Sequence, residues 1–162
     1  MSVVCLFLDN ILDQSNVEVL QDYAHYFSDI RTIEPTNNGL MDAFQEIDAD
    51  YIILTTSQYY ADDCYMMLNY MESHNYSMLV GNRMRSSDKL SKIASKKYKK
   101  YIPDLLSPCR VLKKSFYKNV KLKDNLCTDL IKYCDNFAFI DLDIDKREQI
   151  SFIQQLKIIH SM

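Results

Sequence analysis

The stretch Asp50-Tyr51-Ile52-Ile53-Leu54-Thr55-Thr56-Ser57-Gln58-Tyr59-Tyr60 constrains this chain most. Its centre is a short aliphatic and β-branched run that breaks into a polar tip. Such a run reads as a buried strand, because a strand covered on both faces needs apolar side chains on both. In an open α/β sheet, ligands sit outside the carboxyl ends of the strands. The tip Thr56-Ser57-Gln58 is therefore where chemistry is expected, yet it carries neither a charge nor a strong nucleophile.

The flanking sequence repeats the alternation of strand and helix. Residues 3–8 read as a buried strand ending at Asp9-Asn10. Ser15-Asn16-Val17-Glu18 fits a capping box, followed by Val17, Leu20, Ala24 and Phe27 at helical spacing. A strand is expected at 30–33, a turn at Asn37-Asn38-Gly39, and a short helix with Leu40, Ala43, Phe44 and Ile47 on one face. Asp62 and Asp63 suit the first turn of a helix running to about residue 73, where negative charge favours the dipole. A strand at 78–80, a basic helix at 88–101, short helices at 113–120 and 126–134, a strand at 137–142 and a terminal helix at 149–159 complete the pattern. Strands alternating with helices imply an α/β fold with a largely parallel sheet.

At 162 residues the chain is expected to form one domain, long enough for a core. With 48% hydrophobic residues it is no disordered chain. Its longest apolar runs are too short to span a bilayer, and it shows no signal-peptide pattern, so a cytoplasmic location is expected. The cysteines at 5, 64, 109, 127 and 134 lack metal-type spacing and read as reduced thiols. The scarce glycines, Gly39 and Gly81, should mark backbone positions that need them. Few glycines and 12 tyrosines, beside many Lys, Asn and Ile, are the composition of an AT-rich genome, as in many viruses and parasites.

The net charge of −3 conceals an asymmetry. Residues 1–80 carry 13 acidic residues and one basic residue, Arg31, whereas residues 81–162 carry 18 basic and 9 acidic residues. Such halves should attract each other, within the fold or between copies.

Several short segments share one resemblance. Phe7-Leu8-Asp9-Asn10-Ile11-Leu12-Asp13-Gln14-Ser15-Asn16-Val17-Glu18-Val19-Leu20 resembles the "VVDDGSTDGTxEVL" segment of family 2 glycosyltransferases of the GT-A fold. Asn38-Gly39-Leu40 with Ala43, then Asp50-Tyr51-Ile52, is similar to their "NxGxxxA…GDYI", and Gly81-Asn82-Arg83 to their "GSR". Asp104-Leu105-Leu106-Ser107-Pro108-Cys109-Arg110-Val111-Leu112-Lys113-Lys114 resembles "DxxSGFRxxRR" of the dolichol-phosphate mannosyltransferase-like enzymes. Asp145-Lys146-Arg147-Glu148 with Ser151 is similar to a shortened "DRxxGxSK". The resemblance implies a GT-A, Rossmann-like domain covering residues 1–162 and lacking the family's first strand and helix. In that family the domain binds a nucleotide sugar and a divalent metal and transfers the sugar to a polyprenyl phosphate at a membrane.

Against that pattern, the acidic pair has become Leu8-Asp9, and the metal-binding "DxD" has become Thr56-Ser57-Gln58. Neither Thr nor Gln supplies the negative charge that retains a hard cation. The resemblance therefore implies a degenerate nucleotide and metal site at Asp9, Asn10, Thr56, Ser57 and Gln58, with no catalytic residue, metal ligand or cofactor. Arg83, Arg110 and Arg147 match family positions near phosphates, where arginine binds bidentately. Lys89, Lys92, Lys96, Lys97, Lys99 and Lys100, with Arg85, make a basic helix suited to an anionic surface. His25, His74 and His160 have no metal or triad spacing. The tyrosines at 59, 60, 65, 70 and 76 either pack or form an interface.

The expected role is a non-catalytic assembly module, with a protein partner or a second copy engaging a sheet edge bared by the missing unit. Two alternatives stand beside it. One is an active glycosyltransferase using Mg²⁺ or Mn²⁺, a nucleotide sugar and a polyprenyl-phosphate-type acceptor. The other is an anion-binding module for lipid phosphate at a membrane surface or for nucleic acid, although no recognised nucleic-acid motif is present.

Overall fold

The computed structural model describes residues 1–83 and 89–142. The expected terminal helix, Arg85, Arg147 and His160 lie outside the described residues. In chain order the elements are β1 (Val3–Phe7), a 3₁₀ turn (Gln14–Asn16), α1 (Val17–Tyr26), β2 (Asp29–Thr32), α2 (Asn37–Glu46), β3 (Tyr51–Thr55) and α3 (Ala61–Ser73). There follow β4 (Met78–Asn82), α4 (Lys89–Tyr98), β5 (Arg110–Lys113), α5 (Lys114–Tyr117), α6 (Leu126–Tyr133) and β6 (Phe137–Asp141).

All six strands join one sheet in the order β2-β1-β3-β5-β4-β6. β1 runs parallel to both β2 and β3, and β4 runs parallel to β6. β5 lies antiparallel between β3 and β4. The fold is thus α/β with a mixed, mostly parallel sheet. From β1 the chain goes to one side for β2 and to the other for β3, which makes the β1/β3 boundary a topological switch point. Among the described residues the sheet ends at β2 on one side and β6 on the other.

Strand alternation divides the core into two layers. Val4, Leu6, Ile52, Leu54, Met78, Val80 and Leu112 face α2, α4, α5 and α6. Cys5, Phe7, Ile53, Leu79 and Val111 face α1 and α3. The centre of β3, Ile52-Ile53-Leu54, is wholly buried, as a strand covered on both sides requires. Each of these side chains contributes about 1.5–3 kcal/mol by leaving water.

Three local expectations change. Ser15 does not cap α1. Asp13 instead caps the preceding 3₁₀ turn, accepting from the Ser15 amide at 3.1 Å, and the helix starts at Val17. The buried stripe of α1 shifts with it: Tyr23 and Phe27 are buried, whereas Val17 is 48% exposed and Ala24 is also exposed. Tyr23 can be wholly buried because its hydroxyl is satisfied, donating to the Tyr59 carbonyl at 3.0 Å and lying 2.9 Å from Thr55 Oγ1. The helix expected at 113–120 is shorter, and Arg110–Lys113 ahead of it form the strand β5. Asn37-Asn38-Gly39 is not a free turn but the first turn of α2, capped by Thr36 Oγ1, which accepts from the Gly39 amide at 3.1 Å.

Gly39 is needed for close approach: a Cβ there would stand 2.6 Å from the Glu34 carbonyl oxygen, which is backbone, whereas one on Gly81 would meet the end of the Leu142 side chain, which can give way. Lys99, just past α4, adopts φ of 52°, the left-handed conformation in which a helix commonly ends on glycine. Gly39→Ala should destabilise the fold by about 1–3 kcal/mol through backbone overlap. Lys99→Gly should stabilise it by about 1 kcal/mol by relieving the left-handed strain. Urea denaturation of both variants checks the pair, and effects of the same sign on both would contradict it.

Candidate functional site

The carboxyl ends of β1 and β3 meet at the switch point. Asp9 follows β1, and its carboxylate accepts from the Ser57 amide (2.8 and 3.1 Å to its two oxygens) and from the Ser57 hydroxyl. The Leu8 amide donates to the Thr55 carbonyl at 2.9 Å, extending the β1–β3 pairing up to this bond. Thr56, Ser57 and Gln58 form a tight turn in which the Tyr59 amide donates to the Thr56 carbonyl at 3.1 Å. Gln58 points to solvent, and Asn10 is exposed, its carbonyl taking the side-chain amide of Asn16 at 2.9 Å. The five residues expected at the degenerate site are therefore brought together on the two loops flanking the switch point, and a direct bond joins Asp9 to Ser57.

The donor set does not fit a divalent cation. Mg²⁺ and Ca²⁺ take at least six oxygens, usually with more than one carboxylate among the protein ligands. Here Asp9 brings a carboxylate that already braces the Ser57 turn. Among the described residues no group of three or more His, Cys, Asp or Glu side chains is placed to hold a metal ion. Asp62 and Asp63 lie in the first turn of α3, where charge suits the helix dipole.

Beneath the turn lies a buried polar cluster. Cys64 Sγ is 3.2 Å from the Tyr23 hydroxyl and 3.8 Å from Cys109 Sγ. The hydrogen bond to Cys64 and burial together push the Cys109 thiol well above its ordinary range. Burial likewise pushes up the Cys5 thiol and the Tyr59 hydroxyl. Cys64 is shifted the other way, its thiol held below the ordinary range chiefly by the hydrogen bond with Cys109, but it is wholly buried, whereas reactive cysteines are partly exposed. All five cysteines are described, and none is in a disulfide. Cys127, half-buried, is also pushed up by burial, in spite of Arg110 and Arg83 beside it.

The two described arginines resembling phosphate ligands lie inside the protein. Arg83, 6% exposed, follows β4 and binds Asp104 in a fork: Nε and Nη2 donate at 2.7 Å each, and its backbone amide donates at 3.1 Å. Burial acts against its charge, and the bonds and charge of Asp104 more than offset that, holding the guanidinium above its ordinary range. Arg110, 1% exposed, opens β5 and donates to the carbonyls of Leu105 (2.8 Å), Ser107 (3.0 Å) and Cys127 (3.2 Å). It thereby pins the loop before β5 and the start of α6 to the sheet. Sequence reasoning placed both arginines by motif and missed Asp104 as their neighbour. One signal was present: Asp104 is the sole acidic residue between Lys89 and Lys123, and a lone acid in so basic a stretch points to an internal ion pair.

The basic helix divides. Lys89, Lys92, Lys96, Lys97 and Lys99 are exposed. Lys100 turns inward and donates to the Cys134 carbonyl at 2.8 Å at the end of α6, with Asp135 at 3.3 Å. The two described histidines pack against aromatic rings: His25 lies edge-on to Tyr26, and His74 stacks on Tyr70. Tyr59 is buried, whereas Tyr60, Tyr65 and Tyr70 are exposed. Among the described residues no helix is long and apolar enough to cross a membrane.

The architecture is that of GT-A-type glycosyltransferases. Mannosyl-3-phosphoglycerate synthase from Rubrobacter xylanophilus superposes with a TM-score of 0.64 over 99% of this chain and 71% of its own, at 8% sequence identity. S. aureus TarS (residues 1–349) matches more loosely, with a TM-score of 0.43 over 89% of this chain and 48% of its own, at 12% identity. No protein-family model matches the sequence, and no curated protein matches it. At such identities the likeness concerns the fold alone.

The Arg83–Asp104 pair yields a prediction. Asp104→Asn should lower stability by about 3–5 kcal/mol, because it leaves a buried guanidinium without its counter-charge. The double variant Arg83→Met/Asp104→Leu should lose less than that single change. Urea denaturation measures both, and a cost below about 1 kcal/mol for Asp104→Asn would place the pair among surface-like bridges instead.

Proposed function

We propose that this chain is a GT-A-type domain that has lost sugar transfer and serves as an assembly module. The carrying observation is the bond between Asp9 and Ser57. The carboxylate at the switch point braces the polypeptide's own turn, and the tip of β3 presents Thr56, Ser57 and Gln58 in place of further carboxylates. Neutralising the leaving diphosphate of a nucleotide sugar requires a held cation or an equivalent cationic clamp. The described arginines that resemble such a clamp, Arg83 and Arg110, are engaged by Asp104 and by main-chain carbonyls. What remains outward is binding surface: the short edge strand β2, with its Asp29–Arg31 ion pair, and helical faces rich in tyrosine and lysine.

Calorimetry of the full chain with uridine- and guanosine-diphosphate sugars and Mn²⁺ tests this reading. No binding heat and no metal-dependent hydrolysis are expected. Saturable, Mn²⁺-dependent binding that Asp9→Asn abolishes would show a working site. Thr56→Asp/Gln58→Asp, which restores carboxylates at the tip, should create Mn²⁺ binding where the parent chain has none.

A further inference from the structure

Two helical faces of opposite charge lie on opposite sides of the sheet. α1 and α3 cover one side, and between them they contain neither lysine nor arginine. Glu18, Asp22 and Tyr26 stand four residues apart along α1, all exposed, and so form one stripe. Tyr26 lies 4.9 Å from Tyr65 of α3, ring centre to ring centre. Tyr65, Met66 and Tyr70, between 37% and 44% exposed, continue the surface along α3. The result is an acidic face with an apolar, tyrosine-rich floor.

The other side carries α4 and α6. There Lys89, Lys92, Lys96 and Lys97 are exposed around Ile93, which is 41% exposed. Tyr101 at 81% and Tyr133 at 42% extend the apolar part, and Lys132 lies 5.2 Å from the Tyr133 ring centre. Both faces thus combine one sign of charge with exposed aromatic or aliphatic side chains, the composition of an interface. A β-sheet and two helix layers separate them, so they cannot meet within one molecule. They match between molecules.

We infer that the acidic α1/α3 face of one copy docks on the basic α4/α6 face of another, so that the chain associates head to tail. This rests on the reading of the domain as an assembly module and names its partner as a second copy. Because the two surfaces differ, the contact is heterologous, and each copy still offers one free face after pairing. Charge complementarity of this kind steers association and weakens as salt screens it over about 10 Å at 0.1 M and about 3 Å at 1 M.

Analytical ultracentrifugation of the full chain tests the inference. Concentration-dependent association is expected at about 0.02 M salt, weakened at least about tenfold at about 0.5 M. Two variants each keep one intact face and neutralise the other: Glu18→Gln/Asp22→Asn, and Lys92→Gln/Lys96→Gln. Each alone should sediment as a monomer at low salt, with the circular dichroism of the parent chain. Mixed in equal amounts they should form a 1:1 complex that grows no further, since one acidic and one basic face survive. That rescue also shows that both variants fold. A parent chain that stays monomeric at low salt overturns the inference, as does association indifferent to either variant or a mixture that fails to pair. If the parent chain is monomeric but binds anionic vesicles or an oligonucleotide through Lys92 and Lys96, the basic face serves a polyanion, and stacking is likewise overturned. None of these outcomes bears on nucleotide-sugar binding, which calorimetry tests separately.

Discussion

The bond between the Asp9 carboxylate and the amide and hydroxyl of Ser57 closes the carboxyl ends of β1 and β3 on each other. It sits where the strand order reverses, the place where an open α/β sheet ordinarily receives its ligand. A carboxylate accepting a main-chain N–H and a hydroxyl is a strong, charge-assisted structural brace. The turn it fixes sets the start of α3, and just below it Thr55, Tyr23 and Cys64 share hydrogen bonds that lock α1 and α3 onto the sheet.

The second half follows a related logic with cations. β5 runs antiparallel between β3 and β4, so the loop that precedes it must return over the end of the sheet. Arg110 holds that loop by its carbonyls, and Arg83 holds it through Asp104. Both guanidinium groups are buried, a costly placement offset by the Asp104 fork in one case and by three main-chain carbonyls in the other. Both arginines thus build the scaffold here. The reading of the domain as an assembly module rests on that internal engagement as much as on the missing carboxylates.

Much of this architecture was legible in the sequence. The apolar run of β3 and its polar tip, the runs of β1, β4 and β6, and the acidic start of α3 identified the α/β alternation and the end of the sheet that matters. β5 was not legible, because Arg110 and Lys113 break a four-residue strand that is held by partners far away in sequence. The phase of α1 was misread because a tyrosine at its centre takes the most buried place, which only its distant partners Thr55 and Tyr59 make tolerable. The residues Asp9, Thr56, Ser57 and Gln58, which the resemblance singled out, lie on the two loops at the switch point. Their mutual bonding, and the internal engagement of Arg83, depended on contacts across 48 and 21 residues that no local pattern encodes.

Part of the charge asymmetry acquires a physical meaning once the layers are seen, since the acidic α1/α3 face and the lysines of α4 lie on opposite sides of the sheet. On the proposed reading, the molecule acts through these faces and not through a cleft at the switch point. The central claim, that Asp9 and Ser57 close the switch point, is tested most directly by amide NMR of the full chain during Mn²⁺ titration with a nucleoside diphosphate present. The account predicts that the amides of residues 9–10 and 56–58 broaden no more than exposed acidic sites elsewhere. Selective, saturable broadening of those amides at low Mn²⁺ would contradict it.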